Sequence, residues 1–174
     1  MPNKKQTLAD LRGYFAGYIR NDPRRPSPNK IDLYIDVDGV LFGLYGGCFQ
    51  LRPNVKGFLN WCTNHFNCYW LTYWPADRVE DMLRLIYCSD LAVFIPHTRW
   101  MERAHHKAGA INYSRPFYWI DDDPNDEEMQ ILSEHGAKHR FIAVNPKGRD
   151  GLWVVQRRLN RILELEGEKA NAGQ

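Results

Sequence analysis

Ile31-Asp32-Leu33-Tyr34-Ile35-Asp36-Val37-Asp38-Gly39-Val40-Leu41 is an apolar run that ends in Asp-x-Asp-Gly. It reads as a buried strand that carries two carboxylates to its end and breaks at a glycine. Alternation along an extended chain puts Asp36 and Asp38 on one side, close enough to share a cation. Clustered carboxylates raise each other's pKa unless a metal or a phosphate-binding partner offsets the charge. The competing reading is a plain strand end followed by an Asp-Gly turn. The rest of the chain bears on that choice.

Outward from this segment the pattern alternates. Short apolar runs occur at 31–37, 68–72, 91–95, 117–120 and 140–144, and amphipathic segments lie between them at 54–65, 76–87, 100–111 and 126–135. A last helix is expected over 151–166, where Leu152, Val155, Leu159, Ile162 and Leu165 share one face. Strands and helices in alternation, with near-continuous apolar strands, predict an α/β fold whose central, mostly parallel sheet is covered on both faces. Right-handed crossovers make it a three-layer sandwich. In such sheets ligands bind at the carboxyl ends of the strands.

Before this body lies a different segment. Leu8, Leu11, Phe15 and Ile19 predict a helix over 7–20, and Pro23, Pro26 and Pro28 make the following stretch an extended linker. The chain therefore divides into an N-terminal helix with a Pro-rich basic linker, 1–29, and a body, 30–174. Residues 1–30 carry a net charge of +5 and the remainder about −3. A basic arm on a mildly acidic body suits a phosphate-rich surface or plain solvent. The helix is a candidate for partner binding or self-association.

With 174 residues and 44% hydrophobic composition, the chain is long enough to bury a real core. No apolar stretch approaches a membrane span, and Met1-Pro2-Asn3-Lys4-Lys5 opens no secretory signal. Cys48, Cys62, Cys68 and Cys88 form no C-x-x-C pair and read as reduced core thiols, which points to a cytoplasmic protein without membrane partners.

The residues that follow the strands carry the chemistry. The first strand ends in Asp36-Val37-Asp38, the second in Thr72, and the fourth in Asp121-Asp122-Asp123, while Lys107 lies between the third and fourth. A parallel sheet brings these ends to one edge. A hydroxyl and an ammonium facing carboxylates suit a phosphoryl group held opposite a divalent metal.

In this ordered set the chain resembles the haloacid dehalogenase superfamily of phosphatases. Its four motifs have counterparts in Asp36-Val37-Asp38-Gly39-Val40, Thr72, Lys107 and Asp121-Asp122, and the resemblance covers about residues 31–165. Arg52-Pro53-Asn54-Val55-Lys56-Gly57-Phe58-Leu59, Trp70-Leu71-Thr72-Tyr73-Trp74, Trp119-Ile120-Asp121-Asp122 and Gly151-Leu152 resemble small members that lack a cap domain. The resemblance implies a Rossmann-like core and a Mg²⁺-dependent phosphomonoesterase. Asp36 would be the nucleophile, forming an aspartyl-phosphate. Asp38 would protonate the leaving alcohol and then activate water. Mg²⁺ would sit on the Asp36 carboxylate, the backbone carbonyl of Asp38 and a carboxylate of the fourth motif, with Asp122 preferred and Asp121 in support. Thr72 and Lys107 would hold phosphoryl oxygens. Arg99 and Arg103 are rivals for the role of Lys107, and Asp123, before Pro124, reads as a helix-start residue.

Thirty-three residues separate Asp38 from Thr72 and 34 separate Thr72 from Lys107, which leaves no room for a cap domain. What remains is a glycine-bearing flap over 42–51. An open site admits large substrates: a nucleotide, a nucleic-acid end or a phosphoprotein. Tyr45, Phe49, Tyr73 and Trp74 are candidates to stack on a base, or else to wall the cleft. His105 and His106, adjacent on an expected helix, face different ways and read as surface or partner-facing residues. The 145–149 loop lies near the same edge, its cations facing an anionic substrate or solvent. Two further functions compete with hydrolysis. One is a catalytically silent binding module that works in a complex. The other is a phosphotransferase that passes the phosphoryl group to another alcohol.

Overall fold

In the computed structural model the described residues are 26–45, 48–85, 106–148 and 151–172. The expected helix over 7–20, the strand over 91–95, Arg99, Arg103, His105 and Cys88 lie outside them, as does most of the linker.

Four strands form a parallel sheet: β1 (Asp32–Ile35), β4 (Asn67–Trp70), β5 (Phe117–Asp121) and β6 (Phe141–Ala143), in the order β4-β1-β5-β6. Between β1 and β4 come a two-stranded antiparallel hairpin, β2 (Phe42–Tyr45) with β3 (Cys48–Leu51), and helix α1 (Val55–His65). Helices α2 (Ala76–Leu85), α3 (Asp126–Glu134) and α4 (Gly151–Ala172) complete the set, with short 3-10 turns at Lys107–Ala110 and Lys138–Arg140. The fold is therefore α/β with a central parallel sheet flanked by helices.

The period of two along β1 explains how both faces are covered. Leu33 and Ile35 point into a core with Phe58, Leu59 and Cys62 of α1, Met82 and Leu83 of α2, and Leu152, Val155 and Leu159 of α4. Tyr34 points the other way, to Phe117, Trp119, Ala108, Ile111 and Leu132 of α3. Trp70 and Trp119 are among the largest fully buried side chains, one on each face. Burial of this size drives the fold, at roughly 1.5–3 kcal/mol per large apolar side chain.

Local chemistry sets the ends of the helices. Asn54 precedes α1 in the left-handed region (φ 62°), a conformation asparagine tolerates. A Cβ at Gly57 would meet the Asn54 side chain, which would have to turn aside. At α3 the Asn125 carboxamide accepts from Glu128 N and Glu128 accepts from Asn125 N, a reciprocal cap. Asp123 is thus not the helix-start residue, because Asn125 has both the extended backbone and the partner three residues on.

Other expectations change as well. The first strand stops at Ile35, before the two aspartates, and the last helix runs on to Ala172. In place of a helix through 111, the described part of 100–111 is one 3-10 turn after an extended His106 (φ −133°, ψ 144°). His106 is therefore not helical, and its Nε2 lies 2.8 Å from Glu127. Cys62 and Cys68 are buried, but Cys48, on the hairpin, is exposed rather than a core thiol. Among the described residues no helix is long and apolar enough to cross a membrane.

Candidate active site

The carboxyl ends of β1, β4 and β5 meet at one edge. β1 is flanked by β4 and β5, so the residues after Ile35, Trp70 and Ile120 come side by side. Asp36 N donates to Ile120 O (3.1 Å) and Leu71 N to Ile35 O (2.9 Å), which carries the pairing one step past β1. The chain then turns sharply. Leu41 N reaches Val37 O at 2.8 Å, and Gly39 adopts φ 62°. Gly39 is needed twice: its backbone is left-handed, and a Cβ there would overlap the Asp122 carboxylate.

Asp36, Asp121 and Asp122 each offer an oxygen, and these oxygens lie within 4.8 Å of one another. Asp36 and Asp121 are buried and Asp122 is half-buried. Lys107 enters from the 3-10 turn, buried to 2% exposure. Its Nζ is ion-paired to Asp121 Oδ2 and lies 3.6 Å from Asp36 Oδ2. Thr72, also buried, directs its hydroxyl toward Asp36. The solvated helical lysine that a local reading allows is excluded, because Lys107 sits at the head of a 3-10 turn under the sheet edge. Its ammonium is also walled by Tyr73 and Trp119, 4.9 and 5.8 Å from their ring centroids.

Asp38 is not part of the acidic cluster. With β1 ending at Ile35, strand alternation does not govern the pair, and the two carboxylates differ in burial and partners. Asp36 is buried, whereas Asp38 is exposed and accepts a hydrogen bond from Trp74 Nε1 (2.7 Å). The backbone carbonyl of Asp38 accepts from Val40 N (2.6 Å).

The electrostatics follow from burial and crowding. Burial, then the neighbouring Asp121 charge, pushes the Asp36 carboxyl up to about 7, against the pull of Lys107, Thr72 and the Val37 N–H. Burial and Asp121 raise Asp122 too. Burial alone would lower Lys107, but Asp36 and Asp121 overcome it and raise the ammonium's pKa. Three carboxylates thus face one ammonium. Asp36 Oδ1 is buried and has no hydrogen-bond partner among the described residues. Hard oxygen donors, an excess of negative charge and an orphaned buried oxygen fit a divalent cation such as Mg²⁺.

Two residues that support this edge lack a site assignment from sequence. Glu128, buried, accepts from the backbone N–H of Lys107 (2.9 Å), from Asn125 N and from the Tyr73 hydroxyl. It joins the cap of α3 to the turn that presents the ammonium. The Asn125-x-x-Glu128 spacing was the available signal. Arg52, 3% exposed, donates through Nη2 to Gly39 O (2.6 Å) and Asn145 O (2.8 Å) and through Nη1 to Gly148 O. It fastens the turn after Asp36 to the loop between β6 and α4. Nothing local to Arg52-Pro53 announces that role. In the same loop Lys147 is exposed.

The aromatic candidates separate. Tyr73 is 53% exposed at the mouth, while the half-buried Trp74 packs against Phe42 and Arg78. No family model matches the chain, and no curated protein does.

Proposed function

We propose that the protein is a Mg²⁺-dependent phosphomonoesterase of the capless haloacid dehalogenase type, working through an aspartyl-phosphate. The observation that carries this reading is the buried Lys107 ammonium between Asp36 and Asp121, with Asp122 completing a carboxylate triad and the Thr72 hydroxyl on the same edge. The ordered motifs in the sequence support it independently. A purely structural ion pair would leave charges matched and oxygens satisfied, and this cluster does neither.

Asp36, Asp122 and Asp121 would hold the metal. When bound, Mg²⁺ offsets repulsion between the nucleophile and the anionic ester and stabilises charge in the transition state. An oxygen of Asp36 attacks phosphorus, the bond from phosphorus to the ester oxygen breaks, and Asp38 gives the departing alkoxide its proton. Asp38, now a carboxylate, takes a proton from water as that water attacks the aspartyl-phosphate. Inorganic phosphate leaves and Asp36 is restored. Lys107 and Thr72 bind phosphoryl oxygens throughout. One ester and one water thus become one alcohol and one phosphate.

Tyr73, exposed beside Lys107, offers a ring for a base to stack on, and a nucleotide or polynucleotide end is the class we favour. The test is phosphate release from aryl phosphate, nucleotides, 3′- and 5′-phosphorylated oligonucleotides, phosphopeptides and sugar phosphates, with and without Mg²⁺. Turnover that needs Mg²⁺ and is abolished in Asp36→Asn is expected. Unchanged turnover in Asp36→Asn would overturn the mechanism. Silence across the panel would favour a binding module, and product analysis with competing alcohols separates a hydrolase from a phosphotransferase.

A further inference from the structure

We infer that Trp74 is a positioning residue: its indole N–H holds the Asp38 carboxylate in the orientation from which it exchanges protons with the leaving group. The inference rests on the phosphatase reading above and gives it a device that the motifs do not contain.

Asp38 is exposed, beyond the end of β1 and next to a glycine with φ 62°. A carboxylate so placed is free to take several rotamers. Among the described residues one hydrogen bond restrains it, from Trp74 Nε1 to Oδ2 at 2.7 Å. The indole N–H donates and cannot accept, so this contact always commits one carboxylate oxygen and leaves the other for proton transfer.

The indole is itself braced. Its ring lies 5.3 Å from that of Phe42, the first residue of β2, and the Arg78 guanidinium lies 5.1 Å from its centroid. Its backbone N–H donates to Thr72 Oγ1 (3.3 Å). One short segment, Thr72 to Trp74, therefore carries a hydroxyl for the phosphoryl group and a donor for the acid–base residue. Contacts to Phe42 and Arg78 occupy the ring that the sequence offered as a base-stacking platform, so that part falls to Tyr73, which is 53% exposed.

The role predicts an effect that depends on the leaving group. An alkyl ester needs a proton as its bond to phosphorus breaks, whereas an activated aryl ester such as 4-nitrophenyl phosphate needs little. Trp74→Phe keeps the ring for Phe42 and Arg78 and removes the N–H. It is expected to lower kcat/KM for an alkyl phosphate by about ten- to a hundred-fold and for 4-nitrophenyl phosphate by less than about three-fold. Equal losses on both esters, or none, would overturn the role. A second measurement does not depend on turnover. The indole N–H resonance of Trp74, identified by its absence in Trp74→Phe, is expected to move upfield in Asp38→Ala. An unmoved resonance would also overturn the role. Wild-type turnover without leaving-group selectivity in Trp74→Phe removes the Trp74 role and leaves the phosphatase. No wild-type turnover of these or any other ester of the panel with Mg²⁺ removes both.

Discussion

The two ends of β1 each bury a carboxylate beside a cation, and they do opposite things. At the amino end Asp32, 1% exposed, accepts from Arg115 Nε (3.1 Å) and Asn67 Nδ2 (2.9 Å). Arg115 and Asn67 go on to bond the carbonyls of Ser27 and Lys30, and Asn67 Oδ1 accepts from Ser27 N. Both oxygens of Asp32 are satisfied, by one guanidinium and one amide. The knot pins the chain's entry to the sheet. At the carboxyl end one ammonium pairs with Asp36 and Asp121, a third carboxylate, Asp122, crowds beside them, and an oxygen of Asp36 has no hydrogen-bond partner among the described residues. Four residues along one strand and its extension separate a closed polar network from an open one. Closed networks hold structure, whereas open ones store electrostatic strain that a ligand relieves.

The sharpest way to break this comparison is to neutralise each carboxylate in turn. Asp36→Asn is expected to abolish phosphate release while keeping the fold, since it removes a nucleophile and also one of three crowded charges. Loss of the fold in Asp36→Asn would mean that the carboxyl end is a structural knot like the other. Next in size is Lys107→Met, expected to lower kcat/KM by about 10²- to 10³-fold, the scale of a lost donor to a developing oxyanion. Its thermal stability should fall without metal and recover with Mg²⁺. A variant with wild-type kinetics would show that the ammonium only balances Asp121.

Asp32→Ala should do the converse. Breaking a buried pair costs about 2–4 kcal/mol and leaves Arg115 and Asn67 poorly matched, so its urea midpoint should fall. Activity per folded molecule should be unchanged.

The smallest expected effect is the pH dependence of stability. The Asp36 carboxyl, ordinarily near 3.8, is pushed to about 7 in the fold, first by burial and then by Asp121. Between those values the folded chain keeps a proton that the unfolded chain has released. Stability from this group therefore falls as pH rises from about 4 to 7 and levels off above. The wild type should lose more stability than Asp36→Asn across that window, read as the difference between their metal-free melting curves. Mg²⁺ should narrow the gap, more at pH 8 than at pH 5. Parallel curves for the two proteins would mean that Asp36 is ionised at no cost.

Much of the site was legible because each part sits next to something local. Asp36, Thr72, Asp121 and Asp122 come after apolar runs, and a parallel sheet must bring such positions to one edge. The direction of Asp38 was not legible, because β1 ends at Ile35, two residues short of the expected run, and a turn replaces strand alternation. The helix expected through Lys107 failed for a related reason. Spacing of apolar residues cannot tell a helix from a 3-10 turn pinned through its first N–H by Glu128, 21 positions later.

Local sequence dictated the α/β alternation, the parallel sheet and the acidic strand ends, since period, turn residues and burial preference act within a few positions. Which charges face one another was settled by the folded chain. Lys107 is a buried ammonium because Asp121 lies 14 residues away in the chain and in contact in space. Arg52 is a fastener because carbonyls 13, 93 and 96 positions away converge on it. Trp74 reaches Asp38 across 36 residues. Electrostatic energy depends on distance and on the exclusion of water, and the fold sets both.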